Sequence, residues 1–512
     1  MRIFSLLVIV LVLPLSFGYS QNDKILQDVD KYLAKAQRDW NIPGMAVGII
    51  KDGKVIHSKG YGIMKQGSAE RVSGGTLFAI ASNTKAFISA ALSILEEEGK
   101  LSWDDPVQKH LPYFKLYDEY ASQHTTVRDL LCHRVGLGTF SGDAIWYNRN
   151  MPAEEVVKRA AEVPQAYEYR AGYGYSNLMF ITAGEVIKAV SGKSWAQFVE
   201  ERIFKPLGMN QSCTSVTQLP KRKSVATPHK PVNGENIPIE WVNWDNMGAA
   251  GGIISNTDDM LKWMNLQLQQ GKYGEKQLFS AASQRNFWHP HNNNRVSEAA
   301  QKQYEGRHFS GYGLGWGLSD YRGRLLTSHG GGYDGMYSRL VLVPEEQMGI
   351  VVLTNSMKGI STPLTYYIID AMMGLTPKDW SAEALERQKS WDDYRANRLK
   401  KRYDKHVKGT TADVSMDEMI GLYRCPMYGD IEIKKKGDAM TIHFSNAPNL
   451  DADLKHWHYN TYEIKWKKTL AWFGFGTVQF ELSNDGAVTG LQFDVPNDDI
   501  FFEEINAVKV EQ

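Results

Sequence analysis

Ser82-Asn83-Thr84-Lys85, running straight into the helical stretch Ala86 to Glu98, is the segment of this 512-residue chain that decides its reading. The helical pattern stops at Gly99, a residue type suited to helix ends. In the first turn of a helix, positions three apart share a face, so the Lys85 amine reaches the Ser82 hydroxyl. The helix N-terminus also offers backbone N–H groups and a partial positive charge to an oxyanion forming beside Ser82. A serine hydroxyl becomes a nucleophile once a base takes its proton. A neutral lysine serves if its pKa falls from about 10.4 to near neutrality, a bias of roughly 4 kcal/mol that burial or a second cation supplies. Average composition gives about one or two SxxK strings by chance in a chain this long; here it is the only one. The plainer alternative is an N-capping serine beside a solvated lysine.

Working outward, Ile25, Leu26, Val29, Tyr32 and Leu33 carry helical spacing over 25–39. Met45 to Ile50, the turn Asp52-Gly53 and Val55-Ile56-His57 read as a β-hairpin. Helices and loops fill the stretch to about 320, with Asn256 capping a helix through Leu268 and Asn292-Asn293-Asn294 read as a loop tip. Arg324 to Ser328, Tyr337 to Val343 and Met348 to Thr354 then read as successive strands, followed by a helix near 363–373. One sheet fed from both ends with a helical block between them is an α+β core, not a series of βαβ units.

Two further strings have chemistry within reach. Tyr175-Ser176-Asn177, the only YxN, lies in a glycine-containing loop entering a helix. A tyrosine facing Ser82 shuttles a proton, and Asn177 holds Lys85 or a substrate amide; taken alone, this tyrosine reads as structural. His329-Gly330-Gly331-Gly332 follows the strand ending at Ser328. Its glycines let a substrate lie along a strand edge, and a backbone N–H there joins that of Ser82 in an oxyanion hole.

In the order SxxK, YxN, HxG, the three strings resemble the serine hydrolases of the penicillin-binding-protein and class C β-lactamase fold, over roughly residues 30–370. Thr126-Val127-Arg128-Asp129-Leu130-Leu131-Cys132-His133-Arg134-Val135-Gly136-Leu137 and Gly248 to Ser255, with Asp258, Met260 and Trp263, are similar to further family segments. The resemblance implies a β-lactamase/transpeptidase-like core, an antiparallel sheet flanked by helices with an inserted all-helical region. It implies Ser82 as acylated nucleophile, Lys85 as base and Tyr175 as shuttle. Asn177, His329, Gly330 and Gly331 become substrate contacts, and the N–H groups of Ser82 and Gly332 the oxyanion hole. No cofactor and no metal is implied. His329 stands where β-lactamases carry a lysine, and a neutral histidine grips a carboxylate poorly near pH 7. HxG is the form of esterase, amidase and D-aminopeptidase relatives. Val135 replaces a usual serine as a packing change, and no deacylating ExxLN-type glutamate is present.

The flanks complete the organisation. Arg2, the apolar run Ile3 to Phe17 and Gly18-Tyr19-Ser20 resemble a cleaved secretory leader, residues 1–20, shorter than the ~20 apolar residues a bilayer needs. The expected location is therefore periplasmic or secreted, with no stable membrane anchor after cleavage. The hydrolase domain is expected over 21–375, a charged helical linker over 376–412 and a small all-β barrel over 413–512, similar to lipocalin-like appendages. Lys+Arg and Asp+Glu are each 58, a balance that argues against nucleic acid as partner. Cys132, Cys213 and Cys425 are too few for a disulfide framework, so a buried thiol is expected. His456 and His458 share a strand face but lack a third metal ligand. Four functions stay open. They are hydrolysis of a small ester or amide, acyl transfer to an alcohol or amine, weak β-lactamase or D,D-peptidase action on a lactam or peptide, and non-enzymatic binding. Trp146, Tyr147, Trp241, Trp244, Trp316 and Tyr333 are candidate cleft aromatics for a hydrophobic substrate, or ordinary core.

Overall fold

The computed structural model describes residues 17–511, with side chains from Asp23 on; residues 1–16, most of the leader, lie outside the described residues. Among the described residues no helix is long and apolar enough to cross a membrane. The first helix, α1 (Phe17–Asp39), buries Val29 and Leu33. Strands β1 (Gly44–Lys51) and β2 (Lys54–Gly62) follow. Both turn residues between them, Asp52 and Gly53, have left-handed φ (50° and 72°), the backbone that a two-residue hairpin demands.

The other sheet strands are β3 (Asn292–Asn293), β4 (Ser310–Tyr312), β5 (Gly317–Tyr321), β6 (Arg324–Tyr333), β7 (Met336–Val343) and β8 (Met348–Thr354). They form one antiparallel eight-stranded sheet in the order β2-β1-β8-β7-β6-β5-β4-β3, the α+β arrangement expected of a core fed from both ends of the domain. β8 is buried at every residue and β1 at all but its last, because helices cover both faces. On one face Met45, Val47, Ile49, Ile350 and Val352 pack against α1 and α5 (Ser361–Met372). On the other, Ala46, Ile50, Val351 and Leu353 meet the helical block.

Two stretches depart from the sequence reading. Asn292-Asn293 is a strand and not merely a loop tip. The Asn292 amide donates to the carbonyls of Cys132, His133 and Gly172 (3.0–3.1 Å), a clamp with no periodic signature. β6 does not end at Ser328 but runs on through the glycines to Tyr333. Its partner β5 stops at Gly317 opposite Ser328, so His329 to Tyr333 pair only with β7 and leave the outer edge open.

The helical block is built round α2 (Thr84–Glu97), whose residues Thr84 to Leu95 are all buried although no side chain caps its start. Burial at about 1.5–3 kcal/mol per large apolar side chain therefore holds this helix, not its cap. α3 (Asn177–Ser191) and α4 (Thr257–Leu268) pack nearby, with Asn256 capping α4 through the Asp259 N–H.

α6 (Trp380–Asp404) is anchored at its start, where the Trp40 indole donates to Ser381 (2.9 Å) and the Trp380 indole to Asp370 (2.8 Å). Farther along, Arg395 and Arg402 pair with Asp498 and Asp494, so the charged linker helix meets the tail. The tail is a closed up-and-down barrel of eight antiparallel strands, β9 (Gly421–Cys425) through β16 (Ala507–Lys509). Ile431, Ile442, Phe444, Phe480 and Phe493 are buried in it. One continuous apolar cluster joins barrel and helical block. Cys132, Cys213 and Cys425 are buried free thiols. His456 and His458 are engaged with Tyr459 O and Val407 N, and among the described residues no three metal-ligating side chains gather.

Candidate active site

Ser82 is the one position open to solvent in an otherwise buried run from Thr76 to Leu95. A short helical turn, Ala81–Asn83, precedes α2, and Ala81 adopts a left-handed φ of 47°, uncommon for a residue with a Cβ. Three bonds fix the turn, two of them through Ser338 of β7. Asn83 donates to Ile80 O (3.1 Å) and to Ser338 Oγ (2.9 Å), and Ser338 donates to Ile80 O (2.7 Å). Gly331 of β6 packs directly on this turn, since a Cβ there would lie 2.3 Å from Ile80 O. The open edge of β6 therefore runs beside Ser82.

Lys85 is fully buried, so it is not the solvated lysine of the plainer alternative, and Ser82 caps no helix N–H. Its Nζ lies 3.1 Å from Ser82 Oγ, 2.8 Å from Asn177 Oδ1 and 2.8 Å from Ala250 O. Burial brings its pKa down to about 7, against the opposing pull of Asp143. A neutral amine has two N–H donors. Asn177 Oδ1 and Ala250 O take both, which aims the lone pair at the Ser82 hydroxyl.

Tyr175 lies beside the pair, with its ring centroid 4.8 Å from the Lys85 amine. Burial pushes its phenol well above the ordinary value, and the Ser82 hydroxyl pulls the other way. At neutral pH the Lys85 amine is therefore partly unprotonated, whereas the Tyr175 phenol keeps its proton.

Asn177 is committed on both sides, because its amide donates to Asp143 (2.7 Å) while its oxygen accepts from Lys85. Asp143, buried and also accepting from the Trp146 indole (2.8 Å), was not singled out by the sequence. Burial raises its pKa, countered by the Trp146 and Asn177 bonds and by Lys85. One acid in a loop carries no spacing signal. His133 is a second such residue, with a left-handed φ of 60° and a Nδ1 that accepts from the Ser176 N–H (3.1 Å). Its ring lies 4.2 Å from that of Tyr175, so it sets the loop that carries the phenol.

His329 is also enclosed. Nδ1 meets Gly330 O at 2.5 Å and so carries the proton, which leaves Nε2 to accept from the Tyr312 hydroxyl (2.7 Å). Burial, with Lys85 nearby, brings its pKa down to about 3, so the ring is neutral at any ordinary pH. The cavity over Ser82 has a volume of about 430 Å³ and is lined by Tyr175, Asn177 and His329 to Gly332. Phe140, Trp146 and Trp244 form an apolar wall. Of the six aromatics named from the sequence, only Trp146 and Trp244 line it. Trp316 is buried core.

Residues 29–371 match the family model described as Beta-lactamase, and 405–509 match a domain of unknown function, DUF3471. The chain is 29% identical over 388 residues to unguisins hydrolase ungD' of Aspergillus campestris, covering 72% of this chain and 70% of that one. Its fold is similar to the octameric penicillin-binding protein homologue from Pyrococcus abyssi (TM-score 0.62, 20% identity, 94% of this chain and 100% of that chain). It is also similar to EstCE1, a hydrolase with promiscuous acyltransferase activity (TM-score 0.57, 21% identity, 70% of this chain and 100% of that chain).

Proposed function

The chain belongs to the Beta-lactamase family, and from that premise we propose that it is an exported serine hydrolase cleaving small esters or amides through an acyl-enzyme on Ser82. The observation that carries this reading is the buried Lys85 amine, with two acceptors for its protons and Ser82 Oγ at 3.1 Å. Ser82 Oγ adds to the substrate carbonyl as its proton passes to Lys85 Nζ. The oxyanion lies between the backbone N–H groups of Ser82 and Gly332. Tyr175 hands its proton to the leaving alcohol or amine and regains one from Lys85. Water then repeats the sequence in reverse and releases the acid. The leader-like first twenty residues support export, and the N-terminal sequence of the protein recovered from its host checks that.

Protonated Lys85 cannot accept from Ser82, so the acylation kcat/KM should rise with pH through about 7 and fall roughly tenfold per pH unit below it. A pH profile with an ester whose leaving group needs no protonation measures this limb. A profile flat from pH 5 to 8 would remove Lys85 as the base.

The direct test is intact mass after brief exposure to an ester, an amino-acid amide and a penicillin, with Ser82→Ala alongside. An adduct on the parent and none on Ser82→Ala is expected. No adduct and no turnover would end the reading. Acyl transfer shares the intermediate, and EstCE1 has that side activity; product analysis with added methanol separates the two outcomes. A penicillin adduct would favour lactam recognition, against which the neutral His329 argues.

A further inference from the structure

Besides its catalytic lining, the cavity over Ser82 takes Trp472, Asp499 and Ile500 from the barrel, and Arg339, Ser361 and Thr362 from beneath the sheet. The second group follows from strand register. Arg339 pairs with Gly330 on β6 and with Val352 on β8. Cross-strand partners share a face, and Val352 belongs to the face packed on α1 and α5. Arg339 therefore lies on the opposite face from Ser338, which pins the Ser82 turn. Gly330 has no side chain to cover it, and β5 has already ended opposite Ser328.

The Arg339 guanidinium is nearly unpartnered. Its Nε is buried without a hydrogen-bond acceptor, and its one bond is a long contact to Ser328 Oγ (3.5 Å). Tyr304, Tyr366 and a second cation, Arg307, surround it. Arg307 lies 4.2 Å from the Tyr304 ring and donates to the Tyr366 hydroxyl (2.6 Å). Arg387 of α6 acts on the same Tyr304 phenol. Among the described residues, none of these three arginines has a carboxylate within 4.0 Å, because the acids nearby are engaged elsewhere. Glu305 and Asp370 hold Arg322, and Asp370 also accepts from Tyr321 and Trp380. Asp320 accepts from the N–H groups of His308 and Phe309. Thr362, four residues before Tyr366 and on the same face of α5, lines the cavity, and no side chain caps the start of that helix. Its first N–H groups are left to another acceptor.

Guanidinium groups keep their charge at any ordinary pH. Gathered without an acid, they repel one another until an anion joins them. A carboxylate brings a single charge on two oxygens. A phosphate dianion brings twice the charge and at least three acceptor oxygens, enough for several guanidinium forks at once.

We propose that Arg339, Arg307 and Arg387 form a phosphate-binding site on the α5 face of the sheet. The group bound is a phosphate, either the free ion or the end of a monoester whose organic part runs up past Gly330. Its binding does not depend on the acyl-enzyme chemistry at Ser82.

Titration calorimetry and melting of the full chain test this, at about pH 8, where phosphate is a dianion, and at constant ionic strength. The probes are inorganic phosphate, phenyl phosphate and acetate. Phosphate should bind the parent with a Kd of about 1 mM or less, at least about tenfold more tightly than acetate. Arg339→Gln should weaken it about tenfold or more and Arg387→Gln about threefold, while Lys401→Gln, elsewhere on α6, should leave it unchanged. Phosphate should raise the Tm of the parent and not that of Arg339→Gln, a difference that a merely structural arginine would not produce. Should Arg339→Gln misfold, Arg387→Gln decides, since its side chain is exposed. Phenyl phosphate binding about tenfold more tightly than phosphate would assign a monoester as the ligand; no gain from the phenyl group would assign the free ion. Neither heat nor Tm shift with both phosphates up to about 10 mM, acetate binding as tightly as phosphate, or undiminished binding in the arginine variants overturns the proposal.

Discussion

Lys85→Met should lower kcat/KM for ester and amide cleavage by about 10³-fold or more while leaving the protein folded. Methionine matches the lysine stem in length and has no base at its end. The other titratable groups around Ser82 do not replace it. Tyr175 is pushed well above the ordinary phenol value, and His329 is neutral with both ring nitrogens engaged. The stability side separates loss of chemistry from loss of fold. Holding Lys85 at a pKa of about 7 costs the folded state about 4–5 kcal/mol at neutral pH relative to a solvated ammonium. Methionine removes that cost but leaves Asn177 Oδ1 and Ala250 O without a donor, at about 1–3 kcal/mol each. The two nearly cancel, so stability should stay within about 2 kcal/mol of the parent. Steady-state kinetics and a denaturant curve on the same preparation decide. Activity within tenfold of the parent would exclude Lys85 as the base.

What the sequence made legible here was whatever repeats or stands at short, fixed spacing. The hairpin at Asp52-Gly53 was readable because a two-residue turn with positive φ has few alternatives. The strands of 324–354 were readable as apolar runs, and the SxxK, YxN and HGG strings as local spacings. The end of β6 was misplaced because glycines weaken strand character locally, and only pairing with β7 keeps His329 to Tyr333 extended. Asp143 and His133 stayed hidden for a related reason. Each acts through one long-range bond, to Asn177 and to the Ser176 N–H, and no periodicity encodes a single contact between loops. The barrel was foreseen as a separate all-β unit, but its three cavity residues lie some three hundred positions beyond the loops they face. Docking of one domain on another leaves no pattern in either.

Gly331→Ala should lower kcat/KM by about 10²-fold, whereas Gly330→Ala, one residue away on the same strand, should be tolerated. A Cβ at Gly331 would lie 2.3 Å from Ile80 O, 2.4 Å from Ser338 Oγ and 3.1 Å from the Ala81 Cβ. None of these atoms is the free end of a flexible side chain. Ser338 is pinned by its own bonds to Ile80 O and Asn83, and Ala81 sits in a strained turn. The strand must therefore move away from Ser82, by about 1 Å, carrying with it the Gly332 N–H proposed for the oxyanion hole. Displacements of that size cost about 10²-fold in rate, and the crowding costs about 1–3 kcal/mol in stability. At Gly330 the nearest atom to a Cβ would be Ser338 O at 4.0 Å, an ordinary contact. Its alanine variant should keep stability within about 0.5 kcal/mol, and p-nitrophenyl acetate turnover within about fivefold, since this small acyl group needs none of the space beyond the strand. Kinetics and melting of the pair test the contrast. Equal effects of the two substitutions would mean that the approach of β6 to the Ser82 turn does not set the reaction geometry. Activity lost in Gly331→Ala with turnover intact in Gly330→Ala would tie catalysis to that single backbone contact.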